Sequence, residues 1–319
     1  MIKAVLDPSI ENNLKNVQND KMAIFVMAEG RVRGALFNGT RFVNQARKQH
    51  NLGILETMIF GQAALCGALL IPTMKGKEHL TWRYDCDGPA KGFSIEADSS
   101  GFVRGYLFND HIPLDKPLDS WDLKPFLGNG TMTMSTIHEG DKFARDSSVE
   151  ILYQNITKDL AWFFQQSEQI QTAFNTSIFM NTKGEVTGAG GMFLQILPET
   201  GGNKEDGSNK ESASNQKKNE ELITNVENAF SAAPSLGKWF SENGTLDDII
   251  FGLFEEFKPA VPVYRDIIFD CPCNKDYYLN YIKHLPQNDI TEIKNGKINP
   301  LEIVCRNCGS VYKISLNEI

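Results

Sequence analysis

Four of the six cysteines fall in the last 49 residues, as Cys271-Pro272-Cys273 and, after 31 intervening residues, Cys305-Arg306-Asn307-Cys308. Two short-spaced pairs on facing turns are the usual way for one chain to offer four thiolates to zinc, which binds sulfur tetrahedrally at about 2.3 Å. Gly309 after the second pair suits a tight turn that points backbone amides at the sulfurs, whereas Pro272 stiffens the first pair. A zinc-bound thiolate stays nucleophilic toward oxidants, and an oxidised pair no longer ligates. Spacing alone therefore leaves two readings open, an inert clip that holds the tail together and an oxidant-sensitive centre. His284, mid-helix in DYYLNYIKHL, reads as an exposed or packed imidazole and not as a ligand. Cys66 and Cys86, alone in apolar or strand-like surroundings, read as small hydrophobes without chemistry.

The unit that must position these ligands, residues 262–319, has a size at which a core alone gives marginal stability. A structural zinc contributes on the order of 10 to 16 kcal/mol of apparent free energy, so losing the metal should unfold it. Ahead of it, Leu246, Ile249, Ile250, Leu253, Phe254 and Phe257 recur at the spacing of one helix face, with Asp247, Asp248, Glu255 and Glu256 off it. Thr245 with Asp248 supplies a start signal, and Pro259 and Pro262 a stop. Residues 222–261 thus read as a helical linker. Within it, Trp239, Phe240, Ile249, Ile250, Leu253 and Phe254 are either plain core or an apolar interaction surface, and they are both if the core is one that opens.

Residues 199–221 (ETGGNKEDGSNKESASNQKKNEE) carry no apolar side chain larger than Ala213 and read as a flexible polar insertion. Before them, residues 1–198 alternate strand patterns with helical ones. MAIFVMAEGRVRGALF forms a hairpin turning at Glu29-Gly30, two helices follow between Thr40 and Leu70, and further strands lie at 80–108, 128–137, 149–154, 172–181 and 184–198. A helix capped by Thr157 interrupts them, with Leu160, Phe163, Phe164 and Ser167 on one face. The expected fold is α+β: a mostly antiparallel sheet core domain with packed helices, the helical linker and a small C-terminal four-cysteine zinc domain.

Composition narrows the function. A formal net charge of −8, with seven Lys/Arg against seven Asp/Glu in residues 262–319, leaves no positive excess for a nucleic-acid reader, the alternative that a zinc ribbon raises. No nucleic-acid partner is expected. The longest apolar run, AALCGALLIP, is half of what a bilayer span needs, and the chain start lacks the basic flank and apolar run of a signal peptide. The expectation is a cytoplasmic protein with no membrane partner. G-x-S-x-G, H-E-x-x-H and Walker signatures are missing, and GAGG at 188–191 suits close strand packing better than a cofactor loop. No enzymatic activity is expected; a thiol oxidoreductase acting through Cys305 and Cys308 conflicts with ligation by all four sulfurs.

Several of these features occur together in a known order: Val32-Arg33-Gly34, Asp87-Gly88-Pro89 with Gly92, Val103-Arg104-Gly105-Tyr106, Gln166-Ser167-Glu168-Gln169 with Thr172, Gly190-Gly191-Met192, and C-x-C with a distant C-x-x-C. In these the chain resembles the heat-shock protein 33 family of redox-regulated, ATP-independent holdase chaperones over roughly residues 5–319. The resemblance implies one zinc held by Cys271, Cys273, Cys305 and Cys308 in the reduced, inactive form. It implies Cys271–Cys273 and Cys305–Cys308 disulfides on oxidation, zinc release, unfolding of the tail and linker, and binding of unfolding client proteins. Oxidised members of the family tend to form homodimers. Disulfides across such short spacings restrain an unfolded chain little, so they cannot replace the metal. The insertion at 199–221 and Pro272 depart from the usual family pattern without touching a ligand.

Overall fold

The computed structural model describes residues 11–12, 14–17, 19–114, 116, 118–197, 213–296 and 298–319. Its strands are β1 (Lys21–Met27), β2 (Val32–Asn38), β3 (His79–Cys86), β4 (Gly92–Asp98), β5 (Phe102–Leu107), β6 (Gly130–Ile137), β7 (Arg145–Glu150), β8 (Thr172–Met180), β9 (Val186–Ile196), β10 (Ala260–Arg265), β11 (Ile268–Phe269), β12 (Leu301–Val304) and β13 (Val311–Ile314). The helices are α1 (Thr40–Gln49), α2 (Ile54–Leu70), α3 (Lys124–Leu127), α4 (Ile156–Phe163), α5 (Ala213–Ser231), α6 (Leu236–Ser241), α7 (Leu246–Phe254), α8 (Lys275–Lys283) and α9 (Gln287–Asn295). One sheet runs β10-β1-β2-β9-β8, a second β11-β5-β4-β3-β6-β7, and β12-β13 forms a separate hairpin. Every pairing is antiparallel except the two-residue contact of β11 with β5. The α+β fold is the expected one.

Helix α2 explains how the sheets share a core. It is apolar all round and buried along nearly its whole length, with residues against both sheets. A helix of this kind belongs inside a protein or a bilayer. The window Ile54–Thr73 is long and apolar enough for a span, yet 89% of it is buried within the fold. Around it, Phe37, Phe42, Phe60, Trp82, Phe93, Phe163 and Phe193 close one continuous apolar cluster. The β1–β2 turn falls where the sequence places it, with Ala28, Glu29 and Gly30 all at positive φ.

Local polar chemistry moved two expected boundaries. Strand β7 ends at Glu150, because buried Asp159 accepts backbone N–H groups from Leu152 (3.0 Å), Tyr153 (2.7 Å) and Asn155 (2.8 Å), bending 151–155 into a turn. Asn155, and not Thr157, caps α4, accepting from the Lys158 amide. Leu160, Phe163 and Phe164 of that helix are buried as their spacing implies.

The linker region lies on the other face of the first sheet. Ile249, Ile250, Phe254 and Phe257 bury against Ala23, Phe25, Met27, Leu36, Met192 and Leu194, with Phe25 stacked on Phe254 at 5.7 Å. Helix α6 approaches β8 and β9 so closely that a Cβ on Gly188 would overlap the Gly237 carbonyl, which is what the glycine run at 188–191 permits. Residues 213–221, read from sequence as part of a flexible insertion, are helical: α5 propagates back from its packed end through Glu221, Glu220, Lys218, Lys217, Gln216 and Ala213, good helix formers that outnumber Ser214, Asn215 and Asn219. Residues 199–212 of that insertion lie outside the described residues. Strand β10 runs across the division expected between residues 261 and 262 and pairs with β1.

Candidate metal centre

The first cysteine pair follows β11, and Ile267 just before that strand and Phe269 within it are fully buried in the main core. Asp270 accepts the Cys271 amide at 2.7 Å, and Asn274 caps α8 immediately after Cys273. The second pair sits in the turn between β12 and β13. There the Gly309 amide donates to the Cys305 carbonyl at 2.7 Å, and Gly309 holds φ +70, a conformation that favours glycine.

These turns bring the four sulfurs together, all within 4.8 Å of one another. Cys271 Sγ lies 3.8 Å from Cys305 Sγ, and Cys273 Sγ lies 3.4 Å from Cys308 Sγ. Four sulfurs at about 2.3 Å from one tetrahedral centre stand about 3.8 Å apart. The donor set and its spacing therefore fit a thiophilic metal such as zinc, and the residues that would hold it are the four the sequence singles out. The two short contacts cross between the pairs, and no disulfide joins any of the four.

The surroundings favour thiolates unevenly. Cys305 is driven far below the ordinary thiol range, first by its hydrogen bond with Cys271 and then by those with Cys273 and Cys308. The Cys271 thiol comes down to about 7, first through Cys273. Cys273 and Cys308 are pushed up, each first by Cys271. Cys66 and Cys86 behave oppositely. Burial pushes both up, Cys86 to about 11, which suits the inert role expected of them. His284 is exposed and its Nδ1 lies 2.8 Å from the Asn280 carbonyl, apart from the cluster.

Sequence reasoning missed the seat on which the cluster rests. Arg104 of β5 donates through Nη1 to Cys271 Sγ at 3.4 Å and through Nε to Glu96 at 2.7 Å. Glu96 in turn accepts from Asn307 Nδ2 at 3.2 Å, and the Gly105 amide donates to the Asn307 carbonyl at 3.1 Å. Arg306 stacks its guanidinium 4.3 Å from the Tyr106 ring centroid. A Cβ on Gly309 would overlap the Gln49 carbonyl, so the second turn also presses on the end of α1. Tyr312 reaches the opposite side, its hydroxyl 3.2 Å from Cys273 Sγ and donating to the Cys273 carbonyl at 2.9 Å. The only sequence signal for the seat was the motif Val103-Arg104-Gly105-Tyr106, which gave no role. A cleft of about 700 Å³ beside the cluster is lined by Arg104, Asp270, Cys271, Cys273, Cys308 and Tyr312.

The expected client residues are shielded. Phe240, Ile249, Ile250 and Phe254 are buried, and Trp239 and Leu253 are partly buried against the same cluster. Phe251, off the apolar face that the spacing defines, stays 46% exposed on α7.

Comparison with known proteins agrees with this architecture. The chain is 25% identical over 94% of its length to the 33 kDa chaperonin of Streptococcus mutans, of which it covers 97%. It is 29% identical to that of Thermotoga maritima, over 92% of this chain and 93% of the relative. The crystal structure of the 33 kDa chaperonin (heat shock protein 33 homolog) from Thermotoga maritima superposes with a TM-score of 0.79 at 25% identity, covering 94% of this chain and 96% of that one. The family model described as Hsp33 protein matches residues 20–315, all four clustered cysteines included, and the chain belongs to that family.

Proposed function

We propose that this chaperone-family protein is a redox-regulated, ATP-independent holdase, inactive while reduced and activated by oxidation of its cysteine cluster. The observation that carries the reading is the gathering of four cysteine sulfurs within 4.8 Å, beside a cleft, in a small unit that follows a linker packed by its apolar face. Zinc bound by Cys271, Cys273, Cys305 and Cys308 would cross-link two distant turns of that unit and hold their sulfurs as thiolates. A peroxide-class oxidant converts two thiols to one disulfide as each peroxide is reduced to two waters, and sulfurs so joined cease to ligate. The pairs are Cys271 with Cys273 and Cys305 with Cys308.

The proposed organisation keeps a core at 1–198, an insertion at 199–221, a linker at 222–261 and a switch unit at 262–319. Unfolding of the last two uncovers Trp239, Phe240, Ile249, Ile250, Leu253 and Phe254 together with the sheet face beneath them, and unfolding client proteins bind there before they aggregate. The protein acts in the cytoplasm without turnover chemistry and self-associates into homodimers when oxidised. Suppression of client aggregation, compared between reduced protein and protein treated with peroxide and heat, tests the reading. Holding by the oxidised form alone, with loss of the metal and of four titratable thiols, is the expected result. Equal holding in both forms with the metal retained removes the switch.

A further inference from the structure

The first sheet ends in a strand borrowed from the far side of the linker. Strand β10 pairs with β1 through Met22–Arg265, Ala23–Tyr264 and Ile24–Val263, and after a bulge through Val26–Ala260. None of the six β10 side chains is buried, so the strand is held chiefly by its main-chain ladder. In β1, by contrast, Met22, Ala23, Phe25 and Met27 are buried, and the strand is part of the permanent sheet.

The two strands also differ in how they would behave as edges. A strand that stays at an edge is normally blunted by proline, bulges or charge, because unpaired N–H and C=O groups recruit other strands. Strand β10 has Pro262, an irregular register and Arg265. The β1 sequence KMAIFVM has no proline and no charge beyond Lys21. Covered by β10, it needs no such protection.

We infer that β1 is a receptor edge: when β10 is withdrawn, an extended segment of an unfolding client adds to β1 as a new outer strand. The inference rests on the holdase reading, in which the linker before β10 and the cysteine unit after it both leave their places, carrying the strand between them. Recognition through the backbone suits the task, since edge addition draws affinity from main-chain hydrogen bonds and asks little of side chains. The preferred client segment is uncharged and rich in β-branched or aromatic residues, as the AVPVY of β10 is.

Two experiments on the full-length protein decide it. In the double variant Ile24→Cys with Val263→Cys, a disulfide across directly paired positions staples β10 in place. After peroxide and heat, the stapled protein should lose capture of a permanently unfolded probe, reduced and carboxymethylated lactalbumin. In the second experiment, a peptide of residues 259–266 should displace that probe from the oxidised, unstapled protein, and the same peptide methylated on alternate amides should not. Capture by the stapled protein at the unmodified level overturns the inference. So does equal displacement by both peptides, or displacement by neither. If the oxidised, unmodified protein captures no probe at all, the holdase reading itself has failed.

Discussion

Arg104 does for the cluster what the cysteines cannot do for themselves. Four thiolates around a divalent ion carry a net negative charge, and a guanidinium that donates to Cys271 while paired with Glu96 both offsets that charge and ties it to β5. Disulfide sulfurs carry no charge, so under the proposed switch oxidation would weaken this tie. Replacing Arg104 with Gln removes the charge-assisted bond and leaves partly buried Glu96 with Asn307 alone, a cost of about 1–3 kcal/mol. The expected outcome is a reduced protein that still binds one zinc but is clipped faster by protease between Phe269 and Cys271, and that loses its thiols at lower peroxide concentration. Unchanged clipping would show that Arg104 does not fasten the unit. Gly309→Ala should loosen the same seat by another route, since the new methyl meets both an unfavourable φ and the Gln49 carbonyl; amide exchange of residues 301–314 reads it out. The cysteines were legible because their chemistry is written in local spacing. Arg104 was not, because its sulfur partner lies 167 positions away and nothing in a V-R-G-Y tetrad says what it will face.

At the scale of elements, α7 is the piece whose sequence and structure agree most fully. Leu246, Ile249, Ile250, Leu253 and Phe254 of α7, with Phe257 just beyond it, pack in the cluster on the first sheet, and Thr245 accepts from the Asp248 amide as its start signal implies. Such agreement arises because a helix face and a cap are both set by neighbours within one or two turns. Strand β10 was only half legible, since a run such as AVPVYR identifies a strand and not its partner, which here lies more than 230 residues back. The onset of α5 was misplaced because a polar stretch resembles a linker until a packed helix extends into it. Phe254 is fully buried on Phe25, and Phe254→Ala should cost about 3–5 kcal/mol, charged to the seating of the linker on the sheet. The expected consequence is partial client holding by the reduced protein on mild warming, with metal content unchanged. A variant that stays inactive until oxidised would mean that linker seating and holding are not coupled.

At the scale of the whole molecule, the fold is fastened in two places of unequal strength. The part of the chain from Cys271 onward has a small apolar interior gathered about the sulfurs, Tyr278 and Tyr312, whereas Ile267 and Phe269, just ahead of the first cysteine, are fully buried in the large core around α2. A unit so dependent on its ligands should unfold when the metal goes, but the chain leading to it is anchored by packing that owes nothing to sulfur. Metal removal and linker release are therefore separable. Chelation under reducing conditions, where no disulfide forms, should abolish amide-exchange protection from Cys271 onward, while β10, β11 and α7 keep theirs. The boundary should fall between Phe269 and Cys271. Peroxide with heat should then move it back past β10 and into the linker, because melting α7 removes the Tyr264–Asp247 contact and leaves β10 little beyond its ladder to β1 and the Arg265–Ser99 bond. Exchange mass spectrometry of the chelated and the oxidised protein distinguishes the two boundaries. If chelation alone exposes β10 and α7, the buried Ile267–Phe269 anchor does not divide the molecule, and one event releases everything downstream of the core.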